Sequence, residues 1–259
     1  MSGMAGAGGS FKDHFSGNSA DYAAYRPSYP AELFAWLADQ PAARESAWDC
    51  ATGSGQAALG LAPYFQSVAA TDASADQIAQ ARYHDSVTYR VAPAEASGLP
   101  SASVDLVTVA QAAHWFDLPA FHEEVRRVLK PGGVLAVWCY ERLRIETSLD
   151  EAIEDFYGRQ LDAYWPPERR HVEAGYRDLD FPYVEQPVPA FAMETVWNLD
   201  QLMGYFATWS AVKAYRRALG QDPLPALRDR LAPLWLASGV SLATAKNIKW
   251  PLSLRLGRI

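Results

Sequence analysis

The sequence predicts a doubly wound α/β fold with a mostly parallel seven-stranded sheet, helices on both faces and an antiparallel C-terminal strand. Short apolar segments typical of buried strands alternate with helical segments after Pro41, and a glycine-rich turn follows the first of these strands. The chain has 259 residues, which is enough to cover both faces of such a sheet. The alternation favours parallel strands because right-handed crossovers carry the chain back across the sheet.

Periodicity and turn residues place the individual elements in the first half of the chain. Pro30 and Glu32 begin a helix that extends through Ala38. Five strands are expected at Ala47–Ala51, Val68–Asp72, Val87–Ala92, Val104–Ala110 and Val134–Tyr140. Helices between them are expected from Gly55 to about Ala62, from a Ser74 cap to about His84, and over Leu118–Leu129 before Pro131-Gly132-Gly133.

The second half of the chain is expected to add helices and two further strands. The predicted helices are Glu151 to about Tyr164, Leu199–Leu219 and Leu224–Leu236. The predicted strands are Phe181–Phe191, which prolines interrupt, and Ile248–Leu256.

Composition limits the classes of partner. The net charge of −7 disfavours general binding to nucleic acid or to anionic membranes. Cys50 and Cys139 are too few for a disulfide framework, and we expect buried reduced thiols and no metal site. Since no apolar run is long enough to span a membrane and residues 1–10 do not resemble a signal peptide, we expect a cytoplasmic protein.

The turn after the first strand is the strongest sign of a ligand site. It has the sequence Asp49-Cys50-Ala51-Thr52-Gly53-Ser54-Gly55. Gly53 and Gly55 permit a sharp turn and a close approach of ligand, and the next helix offers backbone N–H groups. Asp72 ends the second strand, at about the twenty-residue separation at which a carboxylate binds a ribose diol. The pattern predicts a nucleotide or nucleoside site.

The glycine spacing alone is compatible with two different cofactors. Gly53-x-Gly55-x-x-Ala58 fits the dinucleotide fingerprint of NAD enzymes as well as S-adenosylmethionine sites. A carboxylate at Asp49 would repel a pyrophosphate and attract an ammonium or sulfonium group, which favours S-adenosylmethionine. A structural role for Asp49, bracing the loop by hydrogen bonds, is the alternative.

At this point the chain resembles the class I S-adenosylmethionine-dependent methyltransferases, over about Ala47–Tyr140. The resemblance rests on the glycine turn, Asp72, Ala94-Glu95 with Leu99-Pro100, Val104–Val107 and Arg127–Gly133. It implies a Rossmann-like domain in which Asp49, Ala51, Gly53 and Gly55 hold the methionine part of the cofactor and Asp72 holds its ribose. Ala94 and Glu95 would flank the adenine. Pro93 stands where the family often has an acid, so a backbone contact near Ala94 is expected instead.

A polar and aromatic run, Ala110–Asp117, follows the fourth strand. Ligands in such sheets bind where the strand order reverses, here between strands one and four. We therefore expect Gln111 and Trp115 to contact the cofactor. His114 is the candidate catalytic residue, to orient a nucleophile or take its proton, and a packing histidine is the alternative.

Further segments resemble the trans-aconitate methyltransferase-like subgroup. They are Tyr22–Pro30, Ala110–Asp117, Val137–Tyr140, Thr208-Trp209-Ser210 and Trp250-Pro251-Leu252. The resemblance implies an N-terminal lid with Tyr22 on the cofactor and Tyr25 and Arg26 toward the substrate, where Arg26 would pair with a carboxylate. Tyr140 and Trp209 are further substrate-binding candidates, with core packing as the alternative for Trp209.

One domain is expected over residues 11–259, after a disordered tail at 1–10. Residues 11–40 would form the lid and first helix, 46–140 the cofactor-binding core, and 141–259 the substrate side and the closing strands.

The predicted activity is methyl transfer from S-adenosylmethionine to a small molecule. The subgroup resemblance implies a carboxylate oxygen of a small organic acid as acceptor. Such a nucleophile needs no general base, whereas a hydroxyl or amine would need one. A non-catalytic S-adenosylmethionine-binding regulator and, less favoured, an NAD-dependent oxidoreductase stay open, and the sequence does not define the oligomeric state.

Overall fold

The computed structural model describes residues 27–237 and 241–259, and it confirms the predicted α/β architecture. Within these residues, eight strands form one sheet in the order β3-β2-β1-β4-β5-β8-β6, with β7 also paired to β8. The strands are β1 Ser46–Cys50, β2 Ser67–Asp72, β3 Val87–Val91, β4 Val104–Ala110, β5 Leu129–Tyr140, β6 Val184–Glu185, β7 Phe191–Trp197 and β8 Lys246–Arg258. Strands β1 to β5 are parallel and β8 is antiparallel to β5, as expected.

Helices cover the sheet and form most of the second half. They are α1 Ala31–Ala38, α2 Gln56–Leu61, α3 Ala75–Ala79, α4 Leu118–Val128, α5 Thr147–Asp155, α6 Arg169–Glu173, α7 Leu199–Ala207, α8 Ser210–Leu219 and α9 Leu224–Leu236. Short 3₁₀ turns lie at Ala113–Trp115 and Asp162–Tyr164, and a π turn at Phe156–Gln160 extends α5. No described helix has the length and apolar content that crossing a lipid bilayer requires.

Helix α3 is shorter than the sequence suggested. The Ser74 hydroxyl accepts the backbone N–H of Gln77 and caps the helix as expected, but the helix ends at Ala79 instead of near His84. None of its residues is buried, and Tyr83 beyond it is largely exposed. The segment therefore lacks an apolar face whose packing would sustain further turns.

The predicted strand at Phe181–Phe191 is wrong over most of its length. Only Val184–Glu185 pairs there, as the extra, eighth strand, because nearby prolines remove backbone donors. The principal strand follows at β7, where buried Met193 and Trp197 share one face. The predicted helix Leu199–Leu219 also breaks at Trp209, whose extended backbone begins a new helix.

The strand order reverses between β1 and β4, as predicted. Strand β2 pairs with one side of β1 and β4 with the other, so the chain leaves β1 in one direction and returns on the opposite side. The ends Cys50, Asp72 and Ala110 consequently lie along one edge of the sheet. This carboxyl-terminal edge is where ligands bind in open α/β sheets.

A buried carboxylate organises the opposite edge. Asp105 accepts the backbone N–H groups of Glu45 and Ser46 at 2.9 Å each and pairs with Lys130 at 2.9 Å. These bonds join the starts of β1, β4 and β5. Asp105 is therefore a structural residue remote from the ligand edge.

We expect Asp105→Ala to lower the free energy of unfolding by about 2–4 kcal/mol, because two backbone N–H groups and the Lys130 ammonium lose their shared, buried acceptor. Urea unfolding measures this change. Affinity for S-adenosylhomocysteine, measured on the folded variant, should stay within about twofold of wild type. A variant of unchanged stability, or one that is folded but binds poorly, would contradict this assignment.

Candidate cofactor and substrate site

The glycine turn between β1 and α2 has the backbone that a close-fitting ligand loop needs. Ala51, Gly53 and Gly55 have φ of 55°, 57° and 89°, all in the left-handed region. The N–H of Thr52 donates to the carbonyl of Thr71 at 2.9 Å, and that of Gly55 donates to Thr52 at 3.0 Å. The loop is thus folded against β2, and the amino end of α2 faces the strand edge.

Gly55 tolerates no side chain. A Cβ there would lie 2.4 Å from the hydroxyl oxygen of Tyr89 and 2.9 Å from its ring. The Tyr89 hydroxyl is buried and, over the described residues, has no hydrogen-bond partner. Sequence reasoning missed Tyr89 as a site residue, although its spacing from buried Val87 places both on one face of β3.

The Asp72 side chain contacts the glycine turn. One carboxylate oxygen of Asp72 accepts the N–H of Gly53 at 2.8 Å, and the other accepts that of Ser74 at 2.8 Å. These two bonds fix the Asp72 carboxylate, an acceptor-only group, at the ends of β1 and β2. The arrangement suits a ribose diol placed between the ends of β1 and β2.

Asp49 lies beneath the loop. Its side chain is 0% exposed and accepts hydrogen bonds from the hydroxyls of Thr52 at 2.5 Å and Thr108 at 2.8 Å. Burial raises its pKa from 3.8 to about 6, and the threonine bonds oppose that rise. Asp49 therefore braces the loop and also places a negative charge behind it, while direct contact with a ligand stays a prediction.

The segment after β3 connects to the segment after β4. Ala94 is buried against the sheet, and the Glu95 carboxylate accepts the N–H of Asp117 at 3.0 Å, at the start of α4. Ala94 and Glu95 thus border the same edge as Asp72. Their predicted contact with adenine stays a prediction.

Gln111 joins the ends of two strands. Its backbone has φ of 60°, its N–H donates to the carbonyl of Trp138 at 2.8 Å, and its side-chain oxygen accepts the N–H of Tyr140 at 2.8 Å. Gln111 therefore positions Tyr140, and its cofactor contact stays a prediction.

His114 lies in an aromatic environment after β4. Its Nδ1 is 2.7 Å from the hydroxyl of Tyr176, and its ring centroid is 4.8 Å from that of Trp115. Burial lowers the pKa of His114 from 6.5 to about 3, and the charges of Arg169 and His171 add to the shift. The imidazole is consequently neutral at physiological pH.

Two clefts adjoin each other, and the smaller one reaches the start of α2. The smaller, about 240 Å³ including open solvent, extends from Pro27 and Gln56 to Tyr140 and Tyr205. The larger, about 390 Å³ including open solvent, shares Tyr140 and Tyr205 and contains Trp209. We call the larger one the aromatic cleft; its rings are Tyr140, Tyr157, Tyr205 and Trp209.

The structure brings two predicted substrate residues, Tyr140 and Trp209, to one cleft. The predicted lid residues Tyr22, Tyr25 and Arg26 lie outside the described residues. The first described residue, Pro27, accepts a hydrogen bond from the Gln56 side chain at 3.3 Å, so the chain enters beside α2.

Comparisons with known proteins agree with this geometry. The family description "Methyltransferase domain" matches residues 48–137. A Dictyostelium discoideum protein named as a methyltransferase is 36% identical over 225 residues, which cover 85% of this chain and 86% of that protein. A Saccharomyces cerevisiae protein named as an S-adenosylmethionine-dependent methyltransferase is 32% identical over 131 residues, 47% of this chain and 45% of that protein.

A solved structure named as a type II methyltransferase of Anaeromyxobacter dehalogenans has a TM-score of 0.84 and 46% identity, over 90% of this chain and 97% of that one. The chain belongs to the class I S-adenosylmethionine-dependent methyltransferases. It is an enzyme whose cofactor is S-adenosylmethionine. The described site fits that cofactor, because the turn excludes a side chain at Gly55 and offers the Asp72 carboxylate and the Tyr89 hydroxyl.

We expect Gly55→Ala to weaken S-adenosylhomocysteine binding by at least about tenfold, since a methyl group would displace Tyr89 and the loop. Gly98→Ala is the matched control, because Gly98 also has positive φ, at 71°, but a Cβ there would meet nothing within 4 Å. Calorimetric titration measures the loss of affinity in each variant, and urea unfolding measures any loss of stability. Equal losses of affinity in both variants would mean that backbone strain, not the Tyr89 contact, is responsible.

We expect cofactor affinity to fall as the pH falls through about 6, where Asp49 gains a proton and its attraction for cations is lost. Asp49→Asn should bind more weakly at neutral pH, with a flatter pH profile in titrations of S-adenosylhomocysteine.

The raised pKa of Asp49 also determines how the free energy of unfolding depends on pH. A raised carboxyl pKa means that the folded state holds the proton more tightly, so the contribution of Asp49 to stability is lost as the pH rises from 3.8 to about 6. Asp49→Asn should therefore cost little stability at neutral pH. In the binding test, pH profiles of S-adenosylhomocysteine affinity that are parallel for wild type and Asp49→Asn would contradict a role for the Asp49 charge.

Proposed function

We propose that the protein transfers the methyl group of S-adenosylmethionine to a carboxylate oxygen of a small organic acid. The observation that carries this proposal is the aromatic cleft, which shares Tyr140 and Tyr205 with the smaller cleft that reaches Gln56 at the start of α2. The acidic chain offers no general attraction for nucleic acid. These features favour a small, partly apolar acceptor.

The cofactor supplies a methyl carbon made electrophilic by its sulfonium. The chain supplies alignment and exclusion of water. Gly53 and Asp72 would hold the nucleoside at the strand edge, and Gln111 fixes Tyr140 at the boundary between the two clefts. The rings of the aromatic cleft would exclude water from the nucleophile.

The low pKa of His114 favours a methyl acceptor that is already ionised. With a pKa of about 3, its imidazole is a weak base at neutral pH. A carboxylate is ionised at that pH and needs no proton removed. We therefore propose that His114, held against Tyr176, orients the acceptor by hydrogen bonding.

Formation of a methylated product, and the stability of that product to base, test the proposed acceptor. We propose incubating the protein with tritiated S-adenosylmethionine and panels of small acids, alcohols and amines. If a carboxylate is methylated, the labelled product is a methyl ester, and mild base should hydrolyse it to volatile labelled methanol. Base-stable label, or label that appears only with alcohols or amines, would contradict an acid acceptor.

For any acid that is methylated, we expect His114→Ala to lower kcat about tenfold or less at saturating cofactor, because an orienting hydrogen bond is lost. Wild type and variant should both show a flat kcat between about pH 6 and 8, since His114 stays neutral there. A loss of about 10²-fold or more, with a wild-type limb near the ordinary histidine pKa, would instead identify a general base.

A further inference from the structure

Arg169 lies in the aromatic cleft, and none of the residues that the structure describes supplies a counter-ion for its charge. It begins α6 and is partly buried, with its guanidinium 5.7 Å from the Tyr157 ring centroid and 5.1 Å from that of Trp165. Its Nε donates to the Tyr157 hydroxyl at 2.8 Å. Over residues 27–237 and 241–259, no carboxylate pairs with Arg169, and its two terminal nitrogens meet no acceptor.

The acids of the cleft do not supply that counter-ion, because each has another donor. Glu154 pairs with Arg142, Asp150 accepts the N–H of Ile145, and Glu141 accepts the Ser253 hydroxyl. Below the guanidinium, Tyr157 donates to Glu173 at 2.6 Å. That bond orients the phenol oxygen that receives the Arg169 Nε.

The resulting geometry suits one kind of ligand. A guanidinium is charged at all physiological pH values, and leaving it partly desolvated without an anion is unfavourable. Its Nε is occupied, so the edge formed by the two terminal nitrogens remains for an acceptor, and that edge matches the two oxygens of a carboxylate. The flanking rings hold the guanidinium plane in place.

The position of Arg169 relates it to methyl transfer. The aromatic cleft shares Tyr140 and Tyr205 with the smaller cleft that reaches Gln56, the first residue of α2 after the glycine turn. The Arg169 charge also acts on His114. An acceptor held at Arg169 would therefore extend toward the cofactor along these shared tyrosines.

We propose that Arg169 is the specificity-determining residue of the substrate site and binds a carboxylate of the methyl acceptor through its two terminal nitrogens. Trp209 and Tyr157 pack against the carbon skeleton of that acid. The inference rests on the proposed function and adds to it the residue that selects acids over neutral molecules of the same shape.

The test compares acids with their amides on the full chain saturated with S-adenosylhomocysteine. Acetate, benzoate and cinnamate are titrated beside acetamide, benzamide and cinnamamide, with tryptophan fluorescence and calorimetry as readouts. We expect wild type to bind at least one acid about tenfold or more tightly than its amide. Arg169→Met should bind the two alike, and Arg169→Lys should retain part of the preference.

Arg144→Met is the matched control, because Arg144 lines the same cleft at an exposed position. It should keep the acid preference, and all three variants should keep wild-type affinity for S-adenosylhomocysteine, which verifies their fold. A wild type with no acid preference in any pair, or an Arg169→Met variant that keeps it, would overturn the proposal. If acids bind through Arg169 but none is methylated, the proposed function fails while the carboxylate site stands.

Discussion

The hydrogen bond from the Gly53 N–H to the Asp72 carboxylate is the contact on which the cofactor site depends. It joins the turn after β1 to the end of β2, two segments that a parallel sheet places at the same edge. The left-handed backbone at Ala51, Gly53 and Gly55 allows the turn to reach Asp72 while α2 begins immediately behind it. The sheet topology and the glycine positions thus generate the site together.

Asp49 is a buried residue whose charge suits the cofactor site but is unfavourable for the stability of the fold. A fully buried carboxylate is unfavourable, and the hydroxyls of Thr52 and Thr108 offset only part of that cost, since its pKa stays raised. An apolar residue would fit the interior of β1 better. A buried charge behind the loop is consistent with a ligand that carries positive charge and no phosphate, and so links the fold to S-adenosylmethionine.

Sequence predicted the sheet well where the signal is local. The limits of β1 to β4 were predicted to within about a residue, because buried parallel strands are continuous apolar segments between turns. The spacing of Asp72 from the glycine turn predicted a shared ligand edge, but not the hydrogen bond between them. β7 was missed because prolines before it shifted the expected strand, and the break at Trp209 depends on the tertiary packing of its ring.

The substrate side could not be predicted in the same way. Tyr140, Tyr157, Arg169 and Tyr205 come from separate elements, and only the packing of the second half of the chain brings them together. No periodicity predicts that Arg169 lacks a counter-ion among the described residues, since that property depends on which acids already pair with other residues. Tyr89 is similar, because its hydroxyl is significant only through its position against Gly55.

The most direct measurement is a crystal structure of the chain grown with S-adenosylhomocysteine and NAD together. We expect density for the homocysteine nucleoside alone, with its ribose hydroxyls on Asp72 and its amino acid part at Gly53 and Gly55. A pyrophosphate at the glycine turn, or no ligand at the ends of β1 and β2, would contradict the central claim that this edge is built for a phosphate-free, cationic cofactor.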